Sequence, residues 1–290
     1  MNKISSRHHY LPQFYLKGFT EDDGKFSVFD LKQGRLKNRR LFPKQVFFEQ
    51  HRNTFFLGDD ATDFLESEIY QMFDNKNSKH LEKIVQTSHQ SKMELNDFQF
   101  LHYFITNLFW RIPRTDELVK QIFKSSTHKD LGFQLVDKKT GQVDKEKSDI
   151  ILESPEFRET YRSSMATVEF HDWDMKTNRK NWVIGYSAKK NTPHICADNP
   201  IVTRNDNSTK LFESELIFPI SKDKLLFYTN HEIKLREIAP EFRLKVDTVI
   251  MGQSQIMAIG TNSDYLKQLF EFTKTIKLKE LKEELFQIFE

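Results

Sequence analysis

One cysteine, Cys196, stands in a chain of 290 residues. That scarcity excludes an internal disulfide and a cysteine-rich zinc site. Glycine and proline are also few, at 9 and 8, against 27 phenylalanines. A chain so rich in aromatics does not have the composition of a disordered protein. Acidic and basic residues nearly cancel to a net charge of +2, which argues against a globally basic nucleic-acid binder and leaves room for a local basic patch. No stretch approaches the roughly 20 apolar residues that cross a bilayer, and no early apolar run resembles a signal peptide. The expectation is a cytoplasmic protein that does not engage a membrane. A phosphate loop, Gly-x-Gly-x-x-Gly, Gly-x-Ser-x-Gly and His-Glu-x-x-His are all missing, so the chemistries those motifs support have no footing.

What is present begins with Arg7-His8-His9-Tyr10-Leu11-Pro12-Gln13-Phe14-Tyr15-Leu16-Lys17-Gly18-Phe19. It reads as an extended arrival followed by a short helix. Pro12 suits the first helical position and pushes Leu11 away from helical angles, while Gly18 supplies a left-handed terminator. The two histidines then sit just before the helix, anchored by Phe14, Tyr15 and Phe19. Lys25 to Asp30 alternates as a half-buried strand. Arg35 to Arg40 carries four cations in six residues, which reads as a solvated segment or a phosphate site. Phe47-Phe48 and Phe55-Phe56-Leu57 read as short strands.

Asp59 and Asp60 are placed to cap a helix from Ala61, with Ala61, Leu65, Ile69 and Met72 on one stripe. The polar stretch Asp74 to Ser78 interrupts that pattern before Leu81, Ile84 and Val85 resume it. Phe98, Leu101, Ile105, Leu108 and Ile112 predict a central helix from about Glu94, ended or kinked at Pro113; Asp116 and Glu117 favour a fresh start there. Thr127 to Asp149 reads as an exposed insertion or hairpin. Ser154-Pro155 opens another helix. From Asn181 the period changes to short strands at 182–186, 194–197, 215–220, 225–228 and 255–260. Helices are expected from Pro240, with Gly252 as stop, from a Ser263 cap, and around Leu278 to Ile288. The order predicts an α+β protein: short N-terminal strands, a helical middle, and a C-terminal antiparallel or mixed sheet flanked by helices. It is read as one domain over 1–290, with a possible subdivision into 1–175 and 176–290.

Four stretches together resemble the domain of unknown function 4238 family of bacterial proteins. They are His8-His9-x-x-Pro12-x-x-Tyr15-Leu16-x-x-Phe19, Arg111-Ile112-Pro113, Asp198-Asn199-Pro200, and Phe218-Pro219-Ile220, in the expected order along most of the chain. Ala197 departs from the serine that the resemblance implies before Asp-Asn-Pro. The family carries no assigned activity.

The polar residues of these stretches are the candidate site. His8-His9 with Pro12 also resembles the histidine strand of His-Asn-His nucleases, where one histidine binds a divalent metal and the next activates water; Asn38 and His51 have workable separations for that fold's further residues. A bound divalent ion would polarise a phosphodiester and stabilise its leaving oxygen. In this reading His8, His9 and Asp198 are catalytic and metal-ligating, while Arg111, Arg114 and Asn199 bind an anionic substrate, either nucleic acid or a phosphorylated small molecule. Arg111 and Arg114 would share a helix face. Two further sets are weaker, the His194/Cys196 pair and the Glu169-to-Asp174 cluster. The alternative is a non-catalytic binding or regulatory protein in which the same residues are structural: Asp-Asn-Pro is a natural turn, and successive side chains of an extended segment point opposite ways, so at most one of His8 and His9 faces a given pocket.

Overall fold

The computed structural model describes residues 6–57, 60–87, 90–127, 131, 135–154, 157–158, 160–165, 179–187, 193–206, 208, 210–231 and 237–290. The Glu169-to-Asp174 cluster lies outside them.

Strand β1 (Arg7–His9) leads into α1 (Gln13–Leu16) and one 3₁₀ turn (Lys17–Phe19). Pro12 sits at the cap, still extended at ψ 138°, one position earlier than expected. Gly18 is not left-handed: it lies inside the 3₁₀ turn, and its role is close approach. A Cβ there would stand 3.3 Å from the Ser221 Cβ, and the Gly18 carbonyl accepts the Lys222 N–H at 3.0 Å.

Next come β2 (Ser27–Asp30), β3 (Arg35–Leu36), β4 (Phe48–Gln50), β5 (Phe55–Leu57) and β6 (Asp60–Thr62). Asp60 and Ala61 therefore belong to a strand paired with β5 rather than to a helix start. The helix begins later, with a π turn at Leu65–Tyr70, and runs on as α2 (Gln71–Gln86) without a break at Asp74 to Ser78. α3 (Leu95–Arg111) is the expected central helix, and Pro113 caps a new helix, α4 (Arg114–Ser125). Val136 and Val143 form the expected hairpin bridge, but Lys145–Leu152 is helical (α5). Ser154 Oγ accepts the Phe157 N–H, as a cap does, and residues 160–165 are helical.

β7 (Trp182–Ser187), β8 (Cys196–Ala197), β9 (Val202–Thr203), β10 (Leu216–Ser221), β11 (Lys224–Tyr228) and β12 (Glu237–Ile238) follow. Then come α6 (Pro240–Gln253), β13 (Met257–Gly260), α7 (Ser263–Thr273) and α8 (Leu278–Phe286). Gly252 is inside α6, where a Cβ would stand 2.7 Å from Leu278. Asn262, not Ser263, caps α7, its side chain accepting from the Asp264 and Tyr265 N–H groups.

The result is α+β. A five-stranded mixed sheet has the order β12-β7-β11-β10-β9, with only β12 and β7 parallel. A four-stranded antiparallel sheet, β3-β2-β13-β8, joins the start of the chain to its end, so the pairing of β2 with β13 crosses the boundary expected near residue 175. Both faces of the central strands β10 and β11 are buried, which accounts for their near-continuous apolar runs. Leu216, Phe218 and Ile220 face a core built on α1 and α3, with Tyr15, Leu101, Phe104 and Leu108. Ile217 faces a second core with Val246, Val249 and Leu285 from α6 and α8. In the other sheet, Val28 and Ile259 belong to the first core, and Phe29 and Ala258 to the second. No described helix is long and apolar enough to cross a membrane.

Candidate functional site

The opening stretch is a hub. Tyr15 stacks on Phe218 at 5.2 Å and donates its hydroxyl to the Pro219 carbonyl at 2.7 Å. Pro219 is tolerated in β10 because β9 pairs only with Leu216 and Ile217, leaving the strand beyond them an edge. Arg111 reaches back to the His9 carbonyl at 2.6 Å.

Arg111 is the last residue of α3, where Ile112-Pro113 ends the helix and its final carbonyls lose their intrahelical partners. Cations supply them. Arg162 donates to the Trp110 carbonyl at 2.6 Å and Arg52 to the Arg111 carbonyl at 3.2 Å, the favourable charge for a helix C-terminus. Asp116 then accepts two hydrogen bonds from Arg52. Arg111 and Arg114 do not share a face, because the helix breaks between them. Arg114 pairs with Asp206 at 2.8 Å, whereas Arg111, 2% exposed, bonds Asp74 at 3.2 Å and lies over the Tyr70 ring at 4.2 Å.

The two histidines part company as the strand alternation requires. His8 is fully buried, and its Nδ1 accepts the Asn53 N–H at 2.8 Å. Asn53 is the residue that sequence reasoning missed. Buried itself, it also donates to Glu66 at 3.0 Å and accepts from Arg162 at 3.1 Å, tying β1 to the π turn and to the helical residues 160–165. His9 lies on the other side of the strand and lines a cleft of about 650 Å³. Arg7 and Lys17 line it with positive charge, and Asp63, Glu66 and Asp74 with negative charge. Asp74, Asn75 and Ser78 come from the polar stretch that interrupted the apolar pattern. It is the wall of a cleft, not a gap between helices.

Burial drives the His9 pKa down to about 4, reinforced by the charges of Arg111 and Arg7 against the opposing bond to the Lys44 carbonyl. The imidazole is therefore neutral at pH 7. Its Nε2 is screened from solvent and has no hydrogen-bond partner among the described residues. Asp74 shifts the opposite way: burial raises its pKa, aided by Glu66 and opposed by Arg111. A π turn forms the neighbouring wall, a helix irregularity frequent at functional sites.

Asp198 and Asn199 do not line this cleft and are otherwise engaged. The Asp198 carboxylate accepts the N–H groups of Gln255 at 3.0 Å and of Ile256 and Met257 at 2.9 Å. Asn199 is bracketed by Gln253 and Ser254. The Asp-Asn-Pro turn thus organises the exit from α6 into β13, and Ala197 is simply a buried strand residue paired with Ala258. Cys196 and His194 also diverge. Cys196 Sγ lies 3.6 Å from the Tyr15 hydroxyl, with burial pushing its thiol up to about 12, while His194 Nδ1 faces Asp247 at 3.1 Å. Asn38 lines a different hollow, and His51 meets His8 edge-on at 6.4 Å. Among the described residues no three His, Cys, Asp or Glu side chains come together to hold a metal ion; His8, His9 and Asp198 do not form a ligand set.

Fold and cleft together define an α+β protein with a neutral, half-sheltered histidine beside opposed charges. The chain matches the family described as "Protein of unknown function (DUF4238)" over residues 7–260, and it belongs to that family. No curated protein and no solved structure matches it.

Proposed function

We propose that the cleft at His9 is the active site of a cytoplasmic, nuclease-like phosphodiesterase. The observation that carries the reading is the unpartnered Nε2 of a neutral histidine that lines a cleft furnished with both cations and carboxylates. A neutral imidazole is the form that can take up a proton, as a general base must. Water attacks phosphorus while its proton passes to the His9 imidazole. The bond from phosphorus to the leaving oxygen breaks, and that oxygen takes a proton from solvent. The His9 proton then returns to solvent, with Asp74 holding Arg111 in place as its ion-pair partner. Arg7 and Lys17 bind the phosphate oxygens. Arg111 is a positioning residue, since one guanidinium holds both the His9 carbonyl and Asp74. Contacts to the imidazole are made in the complex, as catalytic hydrogen bonds often tighten only there. No step is routed through a metal, because the expected ligands do not converge.

The test is hydrolysis of bis-p-nitrophenyl phosphate and of short oligonucleotides. His9→Gln is expected to lower turnover by roughly 10²–10⁴-fold, the usual range for a general base, with Asp74→Asn also impaired. Full turnover by a folded His9→Gln protein, or none by the wild type on any phosphodiester, defeats the reading. The second reading is a non-catalytic anion-binding protein. It is favoured by the hydrogen bonding of His8, Asp198 and Asn199, which are engaged as structural groups. Calorimetric binding of a phosphodiester without turnover would select it.

A further inference from the structure

The basic run that the cleft does not use lies in Lys32–Lys44. Lys32, Arg35, Lys37, Arg39, Arg40 and Lys44 fall in thirteen residues with no acidic residue among them. Five of the six are exposed; Arg40 is half-buried and occupied by Asp23 and Glu21. Arg35, Lys37 and Arg39 line one hollow of about 420 Å³, in which Lys37 approaches Asp30 at 4.0 Å. β3 is a sheet edge, and cations on an edge strand discourage pairing with other chains. That explains Arg35 alone. It does not explain Arg39 and Lys44, which lie beyond the strand, or Phe42, a ring 40% exposed between them with Lys25 at 5.0 Å over its face. Exposed aromatics interleaved with cations are the pattern of single-strand binding, in which bases stack and phosphates are neutralised.

The tract also has a direction. Just past its end the chain enters β4, where Phe48 pairs with His9 of β1. From Arg35 to Lys44 the chain spans at most about 30 Å. We propose that Lys32–Lys44 is a track for single-stranded nucleic acid that delivers a phosphodiester to the His9 cleft; this rests on the preceding reading and narrows its substrate from any phosphodiester to a polymer.

The test measures binding of a labelled 20-nucleotide single strand across a salt series, for the wild type, Arg35→Gln/Lys37→Gln/Arg39→Gln, Phe42→Ala and His9→Gln. Thermal melts establish that each variant is folded. The triple variant is expected to lose at least tenfold in affinity at low salt, with the slope of log K against log salt falling by about 2, at roughly 0.7 per phosphate contact on single strands. Phe42→Ala is expected to weaken binding with the slope unchanged, and the triple variant to cleave a dinucleotide at the wild-type rate. No binding by the wild type, an unchanged slope in the triple variant, or competition by polyaspartate equal to that of the oligonucleotide overturns the track. If the triple variant loses the 20-mer but still cleaves the dinucleotide, both proposals stand. If the slope falls while His9→Gln keeps full turnover, the track stands and the cleft reading is lost.

Discussion

The surroundings of His9 and of Asp198 hold similar raw material and use it in opposite ways. At Asp198 the carboxylate is 5% exposed and accepts three backbone N–H groups; its polar capacity is consumed in holding β13 to the end of α6. At His9 one ring nitrogen is engaged by the Lys44 carbonyl and the other has no partner among the described residues. Both residues belong to stretches that mark the family, so membership alone does not distinguish an anchor from a reactive group. The combination of partners and place does: Asp198 spends its oxygens on backbone N–H groups, whereas His9 keeps a nitrogen without a partner among the described residues and stands on the wall of a cleft.

Substitutions sharpen the contrast. Asp198→Ala is expected to destabilise the protein by about 3–5 kcal/mol, because it leaves sheltered N–H donors unsatisfied at roughly 1–3 kcal/mol each. Urea denaturation reads this, and Asp198→Asn, which keeps one acceptor oxygen, should lose about half as much. A loss under about 1 kcal/mol in Asp198→Ala would erase the structural side of the comparison.

Arg111→Ala comes next, at about 3 kcal/mol, since it strands the half-buried Asp74 carboxylate and strips a hydrogen bond from the His9 carbonyl. Arg111→Lys should recover part of that loss, a lysine offering a point charge in place of the planar fork.

The pH dependence is smaller and specific to His9. Its folded pKa of about 4 lies below the ordinary 6.5, so between those values the unfolded chain holds a proton that the folded protein does not. Stability therefore falls as pH drops from 6.5 to 4, by about 2 kcal/mol once solvent screening of a partly open site is allowed for. Across that window the wild type should lose about 2 kcal/mol relative to His9→Gln, read from their denaturation midpoints. Parallel curves would mean that His9 is not held neutral by its surroundings. Smallest of all is His9→Gln at pH 7, with a stability change within about 1 kcal/mol. A larger loss there would make His9 an anchor like Asp198 and end the comparison.

Much of this architecture was legible from periodicity. The spacing in α3 and the apolar runs of β7, β10, β11 and β13 gave elements at the right places, since both depend on which side chains must be buried. Errors fell where a local signal had two meanings. Asp60 and Ala61 look like a helix start, but pairing with β5 makes them a strand. Asp74 to Ser78 breaks an apolar stripe, yet a helix needs only one apolar face, and its polar face can line a cleft. Gly18 and Gly252 suggested helix ends, but each is small because another element packs against it. Asn53 gave no signal at all: an asparagine after a turn is ordinary, and its three partners come from residues distant in the chain.

The sequence by itself determined the α+β class, the family, the central apolar helix and the break at Pro113, because these rest on local propensity and on the burial pattern of neighbouring residues. The tertiary structure alone decided which polar residues are available for chemistry. Availability depends on hydrogen-bond partners brought from far along the chain: Asn53 to His8, Met257 to Asp198, Arg111 to His9. Those pairings separate a histidine fixed in the fold from its neighbour on a cleft wall, a distinction that two adjacent imidazoles in a sequence do not contain.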